Sequence, residues 1–328
     1  MRAAWFEEFG PASGVLIVGG QPGAEPREGE VQVRLMTSGV NPSDVKKRAG
    51  SFPNLLDDGL VIPHSDGAGV IEKVGEGVAD SRIGERVWVY QAQYGRRFGT
   101  AAEYVAIDAS RAVPLPEKTS FEIGACLGIP AMTAHRCVFA DGPVDDQTIL
   151  VTGGAGRVGH YAIQFAAQAG ARVITTACES QDKSNCTRAG AVATVNHREA
   201  DWAAAVLQIN GGQTVDRVID VEFGANLPEV LNVIRPGGTI ATYSSTQVTE
   251  PKLPFFQMLY MDLTIHFVLV YAMPEQAKQL AIAAITDKLI NEQLQHRVAH
   301  KVPLADIARA HELIEQGGFR GGVVLTLD

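Results

Sequence analysis

A short apolar run, Ile149 to Thr152, leads into Gly154-Ala-Gly156-Arg-Val-Gly159, and apolar Val158, Ala162, Ile163 and Ala166 then recur at helical spacing until Gly170. This order of strand, glycine turn and helix constrains the fold more than any other feature. It continues as alternating apolar runs: Arg172 to Thr175, Ala193 to Asn196, Arg217 to Val221, Thr239 to Tyr243 and Leu263 to Leu269. Six strands with intervening helical stretches predict an α/β fold with a doubly wound parallel sheet.

In the glycine turn, Gly154 permits the tight bend, Gly156 lets backbone approach a pyrophosphate, and Gly159 lets the helix pack on its strand. The helix N-terminus then presents N–H groups and a positive dipole end to the anion. A carboxylate about 20 residues further on would hold a ribose 2′-hydroxyl and repel a 2′-phosphate. The second strand ends instead on Ala177, with Ser180, Lys183 and Arg188 nearby, which predicts NADP(H). Glu179 is the discordant residue: either a solvent-facing loop carboxylate or a ribose ligand.

The first 120 residues differ, with short β-like runs (Val31 to Met36, Gly69 to Val74, Arg86 to Tyr90, Glu103 to Ile107) between glycines and prolines. A helical stretch, Pro274 to Ile290, and a last strand, Val323 to Leu327, follow the alternating region. The pattern changes predict domains over 1–122 with 271–328 and over 123–270, the last strand returning to the N-terminal β domain.

The chain has 328 residues and a net charge of −9, with no cationic run to follow a phosphate backbone, so nucleic acid is not an expected partner. Its four cysteines form no C-x-x-C pair, and the N-terminal residues show no apolar signal region, giving a cytoplasmic expectation. Leu263 to Met273 is too short to span a membrane.

The chain resembles the medium-chain dehydrogenase/reductase superfamily, in its zinc-free quinone oxidoreductase and zeta-crystallin branch. The resemblance is carried end to end by Gly39-Val-Asn-Pro-Ser-Asp44, Asp66-Gly-Ala-Gly-Val-Ile-Glu-Lys-Val-Gly75, Gly84-Glu-Arg-Val87, Ala102-Glu-Tyr-Val105, Gly128-Ile-Pro-Ala-Met-Thr-Ala-His-Arg136, Val151 to Gly159, Val195-Asn-His-Arg-Glu199 and Ala308-Arg-Ala-His-Glu-Leu313. It implies a GroES-like β domain built from both chain ends and a Rossmann domain, with substrate and nicotinamide in a cleft. Zinc ligands of metal-using relatives match Asn41, Ser65 and Pro130 here, none a zinc ligand, and the four-cysteine lobe is absent.

Carried over by position, Gly156, Val158 and Gly159 meet the pyrophosphate, Cys178 and Lys183 the adenosine ribose, and His197 and Asn226 the ribose and phosphates. Ser244, Ser245 and the backbone of Phe267 to Leu269 complete the cofactor set. Asn41 either donates to the acceptor oxygen or nicotinamide ribose, or makes a turn before Pro42. Asp44 is a catalytic candidate or a helix cap; Lys46 is a charge at the site or a solvated lysine. The branch commonly has tyrosines where this chain has Lys46 and Phe52, and in related enoyl reductases the second is the proton donor. His64 is either a proton relay or a packing residue, and Phe52, Met132, Thr133 and Tyr243 are candidates for an apolar pocket. The resemblance implies an NADPH-dependent reductase of quinones or α,β-unsaturated carbonyls acting by hydride transfer without metal. The alternatives are an enoyl thioester reductase or a crystallin-like NADPH-binding protein without turnover. Leu263 to Leu269 would be an exposed sheet edge in a monomer, which predicts a dimer or tetramer.

Overall fold

The computed structural model describes residues 1–327, which divide into two compact units, Met1–Ile129 with the C-terminal residues from Ile282, and Pro130–Ala281. Both changeovers fall inside helices, Gly128–Phe139 and Glu275–Ile290, and not at the positions near 122 and 270 expected from pattern change. A helix that begins in one unit and ends in the other has no break in pattern at the seam.

The strands, in chain order, are β1 (Arg2–Trp5), β2 (Ile17–Gly20), β3 (Glu30–Val40), β4 (Asp66–Val74), β5 (Arg86–Val89), β6 (Tyr104–Asp108) and β7 (Ala112–Pro114). Then come β8 (Thr148–Val151), β9 (Arg172–Thr176), β10 (Ala193–Val195), β11 (Val215–Asp220), β12 (Ile234–Thr242) and β13 (Thr264–Phe267), and finally β14 (Val298–Pro303) and β15 (Gly322–Thr326).

In the second unit the order is β10-β9-β8-β11-β12-β13, every pair parallel. Counted within the unit this is 3-2-1-4-5-6, whose halves diverge from β8 and β11, so a ligand belongs outside the carboxyl ends of those strands. Ile149, Leu150 and Val151 of β8 have no exposed surface, because a parallel sheet covered by helices buries both faces and needs a continuous apolar run. β12 begins five residues before its expected start and contains Pro236 and Gly237, which read as a turn in sequence; its pairing with β11 shifts register there.

The first unit has a seven-stranded sheet, order β14-β15-β3-β4-β5-β7, with β6 also on β3. The last strand, β15, pairs antiparallel with β3, Val323 opposite Val40, and parallel with β14. Val31, Val33, Ile71, Val87, Ile107 and Leu325 form the centre of its core.

Candidate active site and dinucleotide-binding turn

At the end of β8 the chain turns at Gly153, whose φ of 64° is the left-handed conformation that glycine adopts without penalty. The tight bend is therefore made one residue before the expected Gly154. Gly154 is required for a different reason: a Cβ there would lie 2.0 Å from Thr175 Oγ1 on β9. The turn is held by Gly153 N–H donating to Thr176 Oγ1 at 2.8 Å and Gly156 N–H donating to the Gly153 carbonyl at 2.8 Å. Gly156 caps the helix Arg157–Gln168 with exposed backbone and no side-chain cap, Val158 is half-buried, and Gly159 is buried with its α-carbon against Gly153. The arrangement is a shallow backbone cradle at a helix N-terminus, which fits a pyrophosphate.

At the end of β9, Ala177 is buried and Cys178 Sγ lies 3.4 Å from His197 Nδ1. Partial desolvation first, and the Arg198 charge second, lower the His197 pKa, which favours the neutral imidazole. Glu179 precedes the helix Ser180–Arg188, and its Oε1 accepts from Arg198 Nη1 at 3.1 Å. The discordant carboxylate is thus ion-paired, with Lys183 half-buried on the following helix. Arg198 is a residue the sequence reading did not single out, although it lies within the quoted Asn-His-Arg-Glu motif.

Between β8 and β11, buried Asp220 accepts from Thr152 Oγ1 at 2.7 Å, Asn226 Nδ2 at 2.8 Å and Glu222 N–H at 3.0 Å. Burial raises its pKa against these bonds. Asn226 therefore spends one amide hydrogen on the sheet end. Ser245 Oγ accepts Gly224 N–H at 2.9 Å and donates to the Val248 carbonyl, while Ser244 Oγ lies 3.3 Å from Thr246 Oγ1. Tyr243 is half-buried, with burial raising its hydroxyl pKa; Met132 and Thr133 are buried, and Phe267 and Leu269 are largely exposed.

In the first unit, Asn41 caps the helix Pro42–Arg48 in a reciprocal capping box, its own N–H donating to Asp44 Oδ2 at 2.8 Å. Asp44 is buried in this cap, the local role that its position three residues after Asn41 dictates, so the structure gives no support to a direct catalytic role. Asn41 Nδ2 donates to Asp66 Oδ2 at 2.9 Å, and Ile129 N–H donates to the same oxygen at 2.8 Å. Burial, with the Asp44 charge adding to it, raises the Asp66 pKa to about 7, against the pull of Ile129 N–H, Asn41 and Lys47. Lys47 Nζ donates to the Gln93 carbonyl at 2.9 Å and lies 3.5 Å from Ser65 Oγ; its burial lowers its pKa.

Asp44, Lys47 and Asp66 are thus buried near Asn41, whereas Lys46 and Phe52 are exposed. Lys46-Lys47-Arg48 looks like one solvated run, yet at helical spacing Asp44, Lys47 and Arg48 share a face and all three are buried. His64, a pocket and relay candidate, has no exposed surface: Nδ1 is 2.8 Å from Ser38 Oγ and Nε2 is 2.9 Å from His311 Nε2. It is a core histidine of the first unit. Burial lowers its pKa well below normal, and the charges of His311 and Lys47 add to that effect.

Two family models match the chain: "Alcohol dehydrogenase GroES-like domain" over residues 27–117 and "Zinc-binding dehydrogenase" over residues 158–287. The human quinone oxidoreductase is 29% identical over all of this chain and 98% of its own length. A solved structure of an NAD-dependent alcohol dehydrogenase is 30% identical, with a TM-score of 0.88 and full coverage of both chains. The Escherichia coli quinone oxidoreductase, solved with NADPH, is 25% identical, with a TM-score of 0.86 over 99% of this chain and all of that one. With the strand order of the second unit and the β sheet of the first, these place the chain in the medium-chain dehydrogenase/reductase superfamily, in its quinone oxidoreductase branch.

Proposed function

We propose that the protein is an NADPH-dependent reductase of quinones or α,β-unsaturated carbonyls that works without a metal ion. The observation that carries this reading is the composition of the dinucleotide end of the parallel sheet. The Gly153 to Gly159 cradle suits a pyrophosphate, and Ala177 at the end of β9 with Glu179 paired to Arg198 suits a phosphorylated ribose. The similarity to an NADPH-bound relative supports the same choice; the similarity to an NAD-dependent dehydrogenase makes cofactor preference the point to test.

Bound NADPH supplies a hydride, so the chain need only bind it, orient the acceptor, exclude water and stabilise charge on the acceptor oxygen. Asn41 is the candidate donor for that oxygen: Asp66 accepts from its Nδ2, fixing the amide plane, and the capping box fixes its backbone. The positive charge of Lys47, buried beside Ser65, adds to the stabilisation. The positions matching zinc ligands, Asn41, Ser65 and Pro130, do not fit that metal, which supports hydride transfer without Lewis-acid help. The expected location is cytoplasmic. The expected assembly is a homodimer or homotetramer through the β13 edge.

The test is oxidation of NADPH and NADH in parallel by the purified protein, with 1,4-benzoquinone and an enone as acceptors. Faster turnover with NADPH on either acceptor supports the reading. Tight NADPH binding with no oxidation moves it to a non-catalytic role, which exposed Phe52 and Lys46 in place of tyrosines favour.

A further inference from the structure

The first unit contains a cleft of about 1010 Å³ lined by none of the candidate catalytic or cofactor residues described above. One face of β6 contributes Tyr104, Ala106 and Asp108, alternate residues of the strand. Segment 21–30 and loop 94–98 line it as well, and the Tyr94 and Phe98 rings of the loop remain 41% and 46% exposed.

Four guanidinium side chains line the same space: Arg27, Arg96, Arg97 and Arg111. Burial lowers the Arg96 pKa; the Glu30 charge opposes this, and the charges of Arg111 and Arg27 add to it. Arg96 thus lies within electrostatic reach of Arg27 and Arg111. Of the cleft's carboxylates, Glu25 is paired with Lys73, whereas Glu30 and Asp108 offset part of the arginine charge. Glu25 accepts from Lys73 Nζ at 2.8 Å, Asp108 accepts from Ser110 N–H and Oγ, and Glu30 accepts from the Arg27 backbone N–H at 3.0 Å and lies 4.0 Å from Arg96. A concave site with apolar and aromatic walls and a few convergent polar groups is how small-ligand sites are built, and guanidinium forks match carboxylate and phosphate oxygens.

We infer that this cleft binds a small planar organic anion, a flat ring bearing a carboxylate or phosphate. The ring lies against Tyr94 and Phe98, and the anionic group meets Arg27 and Arg96. The site is separate from the dinucleotide turn and does not rest on the reductase reading.

Calorimetric titration of the full chain with 2-naphthoate, at saturating NADPH, tests it, with 2-naphthol as the uncharged match and adenosine 5′-monophosphate as a nucleotide probe. The expected result is one-to-one binding of at least one anion, at least about tenfold tighter for 2-naphthoate than for 2-naphthol if the aryl acid is the ligand. Arg27→Ala and Arg96→Gln should each weaken binding about fivefold or more without changing turnover. If Arg96→Gln fails to fold, Arg27→Ala and Tyr94→Ala, which alter exposed side chains, carry the comparison. Preference for 2-naphthoate identifies an aryl acid, and preference for the nucleotide a nucleoside phosphate; either supports the site. No binding of either anion, displacement of both by NADPH, or binding unchanged in the variants overturns it.

Discussion

Two side chains give tests of the proposed cofactor preference and of the setting of the candidate amide. Arg198 neutralises Glu179, so removing it both frees a carboxylate beside the ribose position and deletes a cation. Arg198→Ala should raise the KM for NADPH about tenfold and leave that for NADH nearly unchanged; steady-state kinetics with both cofactors check this, and equal effects would sink the assignment. Asp66 acts through Asn41. Its carboxyl pKa is raised from 3.8 to about 7, so the folded protein binds more protons than the unfolded chain across that window. Its stabilising contribution is therefore complete below about pH 4 and is lost as pH rises towards 7. His311, lowered from 6.5 to about 3 by burial, has the opposite slope: its contribution is present above 6.5 and lost as pH falls. Asp66→Asn removes only the first of these. The stability of the variant relative to the parent should thus increase between about pH 5 and about pH 7, by no more than about 1.4 kcal/mol per pH unit. Urea unfolding at several pH values measures it, and a difference independent of pH would contradict the raised carboxyl.

At the scale of the element, the strand-turn-helix of residues 148–168 separates glycines needed for folding from one needed for binding. A Cβ on Gly159 would lie 2.4 Å from the Gly153 carbonyl oxygen, backbone that cannot move without opening the turn. Gly159→Ala should cost about 1–3 kcal/mol. On Gly156 the nearest atom to an added Cβ is that same oxygen at 3.1 Å, which a small shift relieves. Gly156→Ala should therefore keep a near-parental melting temperature but bind NADPH about tenfold more weakly or worse, because the methyl occupies the approach of the pyrophosphate. Thermal melts with fluorescence titration separate the two; equal loss of stability in both variants would reject the distinction. The turn was legible in sequence because its glycines fall between a strand pattern and a helix pattern. The displacement of the bend from Gly154 to Gly153 was not, since neighbouring glycines carry no mark of which takes the positive φ.

For the whole molecule, among the described residues the parallel sheet ends on β13, paired with β12, and exposed Phe255, Phe256, Leu259, Tyr260 and Phe267 lie on or just before that strand. An unpaired apolar edge of this kind favours a second subunit. Sedimentation velocity should give an oligomer at micromolar concentration, and the Phe256→Asp, Tyr260→Asp double variant should shift it towards monomer; a monomeric parent would remove the argument.

Local chemistry settled much about this protein from sequence alone. Continuous apolar runs mark strands buried on both faces, and glycines between a strand pattern and a helix pattern mark a phosphate turn, both readable from the local sequence. Tertiary structure alone decided which charges are buried. Lys47 and Asp66 lie 19 residues apart yet are buried beside Asn41, and His64 meets His311, 247 residues away. A side chain's desolvation depends on what the rest of the chain packs around it. No local pattern records that, so the glycine turn could be read in advance and the buried polar cluster could not.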